Sequence, residues 1–386
     1  MRLAAIATLV SSAAHFAPAQ AAYSLTKAYQ GDTFFDDWEF YGHYDNLTNG
    51  DIDYVNRTDS SDLAYINSAG NAIIKMDNVS DVLYPNKRRS VRIESTNLYG
   101  IGSLWVWDFL HTPYGCSVWP AAWLVSPTWP QGGELDVCEG VNLQETNQYA
   151  VHTSAGCTVD NSTSANAEGT LLYGNCDANV NFNSGCTYRD PRTSSYGAGL
   201  AAAGGGVYAA QLSTDGVSMW FFPRAEVPAD LASTDFSTVP TPDSWGTPAA
   251  YYPASSCTPA DHFSPLKMVF TATACGDWAG QPAVLNQTGC PLANDQMTCY
   301  TQYVLNSTNF DTAYFEVASV RAYTDPDRSA ESSPQTTQTS SSEATSPSAS
   351  ATPESGAARI GGGYVAGALA GVVAAGVMAL ASSTIV

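Results

Sequence analysis

The segment Gly132-Gly133-Glu134-Leu135-Asp136-Val137-Cys138-Glu139-Gly140-Val141-Asn142 carries three acids in close succession. On a strand, residues two apart share a face, so Glu134 and Asp136 stand side by side, roughly 6.6 Å apart along the backbone. Glu139 falls out of phase. One inserted residue, a β-bulge around Val137-Cys138, restores the phase and turns all three carboxyls to one face. Like charges at this spacing repel and raise one another's pKa, which is costly for a strand that only supports a fold. Glycoside cleavage uses such a row: an ionised carboxylate attacks the anomeric carbon while a protonated one donates to the leaving oxygen. In a retaining enzyme the two lie about 5 to 5.5 Å apart. Asp136 between them can hydrogen-bond a neighbour and bias which acid keeps its proton. The competing readings are a solvated acidic edge strand and a calcium site. Calcium loops alternate Asp or Asn around a Gly turn and end in Glu, a pattern missing here, so no metal and no cofactor is expected. Spacing alone leaves open which glutamate attacks.

Aromatic residues crowd the approach to these acids. Trp105, Trp107, Trp119, Trp123 and Trp129 all fall shortly before Glu134. For a single Trp, core packing is the default. Trp129 is the exception, because Pro130 and two glycines soon follow it and place it on a loop at a cleft rim. A sugar ring has an apolar face and polar edges, so an exposed indole is a natural platform for it. The composition agrees. With Lys+Arg 15 against Asp+Glu 36, the net charge of −21 argues against nucleic-acid or anionic-membrane partners. Only 13% of residues are charged and 44% are hydrophobic, so the chain can fill a large core.

The elements that must hold the acids are short strands between Gly, Pro, Asn and Asp. Runs at Ser90–Ile93, Leu104–Phe109, Ala122–Val125, Val207–Leu212, Val217–Phe222, Met268–Thr273 and Tyr314–Tyr323 have strand character. Asp215-Gly216 lies between two of them and signals a hairpin. Gly204-Gly205-Gly206 is no phosphate loop, since no Lys-Ser/Thr follows; it reads as a strand entry. Long helical periodicity is absent. The pattern predicts one large all-β domain, a sandwich or jelly roll whose concave sheet forms the cleft.

The ends read differently. Residues 1–21 have the form of a secretory signal, with Arg2, the apolar Leu3–Val10 and the Ala19-Gln20-Ala21 cleavage site. The catalytic domain is expected over 22–327. Residues 328–358 form a stalk rich in Ser, Thr and Pro, and 359–386 an apolar tail. No basic residue follows that tail, which favours a glycolipid (GPI) attachment signal, with Ser355 as the anchor site, over a retained membrane helix. Six N-x-Ser/Thr sequons, at Asn46, Asn56, Asn78, Asn161, Asn286 and Asn306, fit secretion. The nine cysteines form no C-x-x-C pair or zinc pattern, so disulfides are expected with one thiol left over.

The acidic segment resembles the active-site strand of glycoside hydrolase family 16, in its laminarinase-like branch with the bulged E-x-D-x-x-E form. The resemblance extends to Phe34-Phe35-Asp36-Asp37-Trp38, Trp119-Pro120-Ala121-Ala122-Trp123, Trp129-Pro130, Val151-His152-Thr153, Trp220-Phe221-Phe222-Pro223-Arg224 and Cys275-Gly276-Asp277-Trp278-Ala279-Gly280. It implies a concanavalin-like β-jelly roll and a fungal endo-β-glucanase, a monomer acting on β-1,3 and mixed β-1,3/1,4 glucans with retention. It also implies Glu134 as nucleophile, Glu139 as acid/base and Asp136 as the assisting acid. Trp129, Trp278, His152 and Trp123 would contact glucan. Cys138 departs from the family, which usually has an aliphatic residue there; if the bulge turns it inward, it is the natural unpaired thiol. The rivals are a cell-wall transglycosylase, whose branch typically lacks the extra residue, and a glucan-binding jelly roll without catalysis. The membrane enters only through the lipid anchor, and the cell surface is the expected location.

Overall fold

The computed structural model describes residues 23–328, Asn161 and Thr163 excepted. Side-chain alternation organises the chain around the acids. Along Val118–Val125, Ala122 and Leu124 enter the core while Trp119, Ala121, Trp123 and Val125 face an open cleft. Lys267–Ala274 repeats the period, with Met268 and Phe270 inward and Lys267, Thr271 and Thr273 on the cleft. In Arg92–Ser95, Ile93 is inward and Arg92 and Glu94 are on the cleft. A period of two with one buried face is the signature of a half-covered antiparallel sheet.

That sheet has eight strands, in the order Thr170–Tyr173, Cys186–Arg189, Gln148–His152, Glu134–Glu139, Val118–Val125, Lys267–Ala274, Arg92–Ser95 and Trp38–Phe40. The acidic strand is therefore central. A second eight-stranded sheet backs it, in the order Ala250–Pro253, Gly216–Pro223, Gly206–Ser213, Ser103–His111, Tyr314–Thr324, Ala72–Lys75 and Ala64–Ile66. Ser24–Tyr29 adds to it along Tyr314–Thr324. All these pairings are antiparallel, which gives the all-β jelly-roll sandwich.

Phe109 of the second sheet meets Phe270 of the first edge-on at 6.0 Å, and Phe270 meets Phe315 at 5.2 Å. Trp105 and Trp107 are fully buried in the same core. Each such side chain contributes about 1.5 to 3 kcal/mol by leaving water. The outer face of the second sheet is covered too, since Leu104, Val106, Val207 and Ala209 pack with Trp220, Phe222 and Leu231. Burial on both faces explains why Gly206–Ser213 is buried throughout instead of alternating.

The hairpin near Asp215 is displaced by one residue from its dipeptide signal. Ser213 pairs with Gly216, so Thr214 and Asp215 make the turn and Gly216 opens the next strand. Gly206 also opens a strand, as expected of the triple glycine. Among the described residues the longest α-helices have six residues, Gly197–Ala202 and Pro282–Gln287. Among the described residues no helix is long and apolar enough to cross a membrane.

Four disulfides close the fold, Cys116–Cys290, Cys157–Cys257, Cys176–Cys186 and Cys275–Cys299, and Cys138 is the buried free thiol. Of the sequons, Asn46, Asn56, Asn286 and Asn306 are exposed and Asn78 is half-buried. Asn161, residues 1–21, the stalk beyond Arg328, the 359–386 tail and Ser355 lie outside the described residues.

Candidate active site

The bulge is present and its position is sharp. Glu134, Leu135 and Asp136 pair with Val125, Leu124 and Trp123; the register then slips, and Cys138 and Glu139 pair with Ala122 and Ala121. Val137 is the extra residue. Its insertion puts Glu134, Asp136 and Glu139 on one cleft while Leu135, Val137 and Cys138 join the core. An interrupted ladder leaves backbone groups that must find other partners. The buried Asn147 supplies them: its Oδ1 accepts from the Glu139 N–H at 2.9 Å and its Nδ2 donates to the Val137 carbonyl at 2.8 Å.

The glycines on either side admit no larger residue. A Cβ on Gly133, whose φ is +79°, would sit 2.4 Å from the Phe263 ring, and one on Gly140 would sit 2.7 Å from the Tyr196 ring. The acidic strand is thus wedged between two aromatic rings at its ends.

The electrostatics follow from burial. Desolvation and the adjacent Asp136 charge hold both Glu134 and Glu139 above the usual carboxylate range. Different groups oppose that rise at the two positions. At Glu134 they are His152, the Trp129 indole and Arg92; at Glu139 they are the Trp119 indole, which donates to Oε1 at 2.9 Å, and His152. Glu134 is pushed up to about 8 and Glu139 well above its ordinary value, and the difference between them is that Glu134 has Arg92 among the groups that favour its ionised form. His152 sits opposite Glu134 in the ladder, with Nε2 3.3 Å from Asp136 Oδ2 and Nδ1 2.9 Å from Asn183 Oδ1. Burial alone would lower its pKa, but pairing with Asp136 and the charges of Glu134, Asp136 and Glu139 outweigh it and raise it to about 10.

The cleft encloses about 380 Å³. Trp129 is 43% exposed at its rim, and Trp123 lines its floor, donating to Thr271 Oγ1 at 2.9 Å with the Arg92 guanidinium 5.1 Å from its ring. Trp278 packs edge-on against Trp119 at 5.6 Å, so it buttresses the indole that reaches Glu139. His152 lies behind the acids, almost fully buried, where it faces carboxylates. On the opposite rim Leu47 and Thr48 are held by the buried Asp45 carboxylate, which accepts from both of their N–H groups and from the Thr273 hydroxyl.

Glu134, Asp136 and His152 offer three ligand atoms within 4.8 Å of one another. A metal would need the imidazole neutral. Here both ring nitrogens already face partners, Nε2 the Asp136 carboxylate and Nδ1 the Asn183 side-chain oxygen. The sulfurs of Cys157, Cys176 and Cys186, which also group together, belong to disulfides.

Sequence reading did not single out Trp119, Arg92, Asn147 or Asn183 as site residues. Trp119 was within reach, because it lies four residues from Trp123 on one strand and so on the same face. Arg92 shares a face with Glu94 by the same rule. Asn147 and Asn183 lie on connections between strands, where no periodicity marks them.

A profile described as the XgeA-like, catalytic GH16 domain matches residues 38–323. A probable glycosidase of Schizosaccharomyces pombe is 37% identical over 304 residues, which covers 78% of this chain and 69% of that one. A probable endo-1,3(4)-beta-glucanase of Neosartorya fischeri is 37% identical over 324 residues, 82% of this chain but 48% of the relative, so this chain spans about half its length. Among solved structures, GH16 Laminarinase 16A from Phanerochaete chrysosporium, with beta-glucans in both donor and acceptor sites, superposes with a TM-score of 0.73 and 34% identity. The match covers 78% of this chain and all of that one. An elongating GH family 16 beta-1,3-glucosyltransferase superposes at 0.71 with 32% identity over the same shares.

Proposed function

This chain belongs to glycoside hydrolase family 16, and on that premise we propose that it is a retaining endo-β-glucanase of β-1,3 and mixed β-1,3/1,4 glucans. One observation carries the reading: the register slip at Val137 that puts three carboxyls on one cleft. Glu134, with His152 and Arg92 as its nearby positive charges, attacks the anomeric carbon and forms the glycosyl-enzyme. Glu139 gives its proton to the leaving oxygen, then takes one from the incoming water. Asp136, paired with His152, assists by setting the charge between them. Trp129 and Trp123 offer indoles to the sugar rings.

The test is product chromatography after incubation with laminarin, lichenan and cellulose. Oligosaccharides of mixed length from laminarin and lichenan are expected; no products from either would overturn the reading. The 0.71 match to an elongating glucosyltransferase supports a second reading, in which a sugar hydroxyl replaces water in the second step. Products longer than the oligosaccharide supplied would carry it.

The protein is further proposed to be secreted and held at the cell surface by a GPI anchor at Ser355, from the apolar stretches at 3–10 and 360–386 and the sequons. Mass spectrometry of the mature protein tests this. A peptide running intact to Val386 would exclude the anchor.

A further inference from the structure

Asn181, Phe182 and Asn183 are three consecutive left-handed residues, with φ of 50°, 56° and 58°. Asparagine adopts this region readily, but a bulky aromatic residue there is an outlier and costs free energy. Burial does not offset the cost. Phe182 is 95% exposed, the highest value for a large apolar side chain among the described residues. Backbone strain that packing does not repay is a mark of a functional position.

The segment is well anchored on either side of this ring. It lies on the loop that the Cys176–Cys186 disulfide closes. The Asn183 N–H donates to the Val180 carbonyl at 3.0 Å, and the Ser184 hydroxyl to the Asn181 carbonyl at 2.5 Å. Asn183 lines the cleft and meets His152 Nδ1 at 2.9 Å. Phe182 is the neighbouring residue of the chain, its Cα about 3.8 Å from that of Asn183, and its ring is exposed to solvent. An apolar face held in water beside a sugar-sized groove is suited to stack on a pyranose ring.

We propose that Phe182 is a stacking platform for the β-glucan chain where it leaves the cleft past Asn183, a subsite remote from the bond that is cut. The proposal rests on the β-glucan reading above and names a contact beyond the acids and tryptophans. The test compares the wild-type chain with Phe182→Ala, Phe182→Gly and Phe182→Trp, on laminarin and on an aryl glucoside too short to reach the loop. Alanine and glycine should raise the KM for laminarin roughly 3- to 10-fold, with kcat and the aryl glucoside kinetics unchanged. Tryptophan should restore the wild-type KM. Glycine also relieves the left-handed backbone, so its unfolding midpoint should equal or exceed that of the wild type, which separates lost binding from lost folding. Wild-type KM for laminarin in both truncations, or an equal loss on the short substrate, overturns the platform while the hydrolase reading stands. A wild-type chain that turns over no β-glucan overturns both.

Discussion

Trp119 donates its indole N–H to Glu139 Oε1 at 2.9 Å, from the same face of the strand that presents Trp123 to the cleft. A bond of this kind favours the ionised carboxylate and so opposes the burial and the Asp136 charge that keep Glu139 protonated. Trp119→Phe removes the donor and keeps an aromatic ring. The pKa of Glu139 should rise, moving the alkaline limb of kcat/KM up by roughly one to two pH units. The pH–rate profile is the measurement. A limb that stays put or moves down would show that Trp119 does not govern the proton on Glu139.

Asn147 holds the bulge closed through two hydrogen bonds to backbone. Asn147→Ala leaves the Val137 carbonyl and the Glu139 N–H without those partners in the interior, at a cost of roughly 2 to 4 kcal/mol. Urea unfolding should show that loss. Because Glu139 also loses its tether, kcat should fall about tenfold or more below that of an equally destabilised variant remote from the cleft, such as Val106→Ala. Equal kcat in the two variants would mean that the bulge holds its shape without Asn147.

The proton on His152 links stability to pH. Its pKa is raised from 6.5 to about 10 in the fold, so the stabilisation is complete below pH 6.5 and is lost as pH rises through about 10. Ionising Glu139, whose pKa is also raised, acts in the same direction over that range. Wild-type stability should drop by on the order of a few kcal/mol between pH 6 and pH 10. His152→Gln should be less stable than wild type at pH 6 and lose less on going to pH 10. Parallel urea curves for the two proteins at both pH values would contradict the pairing of His152 with the acids.

Cys138 gives a simple chemical readout. Burial pushes its thiol up to about 12, and the other eight cysteines are paired. Alkylation with iodoacetamide at pH 8 should leave the folded protein unlabelled and add one group after unfolding in urea without reductant. More than one group under those conditions would mean that a disulfide is open.

The acids of this site were legible in its sequence through a period of two. Glu134 and Asp136 follow from alternation, Glu139 follows once a single insertion is allowed, and the inward turn of Val137 and Cys138 is its consequence. The strands at Leu104–Phe109 and Val207–Leu212, covered on both faces, were readable instead from their largely apolar, strand-forming runs. Residues on connections escaped: Asn147, which caps the bulge from the loop before the next strand, and Asn183, which reaches His152 from a disulfide-closed loop. Their contacts are set by tertiary placement, and asparagine is common in loops for its turn-forming ability alone. Trp278 shows the same limit. Nothing local tells that its ring supports Trp119 at 5.6 Å.

The central claim is that Glu134 attacks and Glu139 serves as the acid. The most direct measurement is azide rescue of Glu134→Ala on an activated β-glucan substrate, with the anomeric configuration of the product read by NMR. With the carboxylate gone, azide can enter from the vacated side while Glu139 and the aromatic walls remain in place, so the glycosyl azide should form with inverted configuration. A rescued product of retained configuration, or wild-type turnover by Glu134→Ala without azide, would show that the nucleophile lies elsewhere in the cleft.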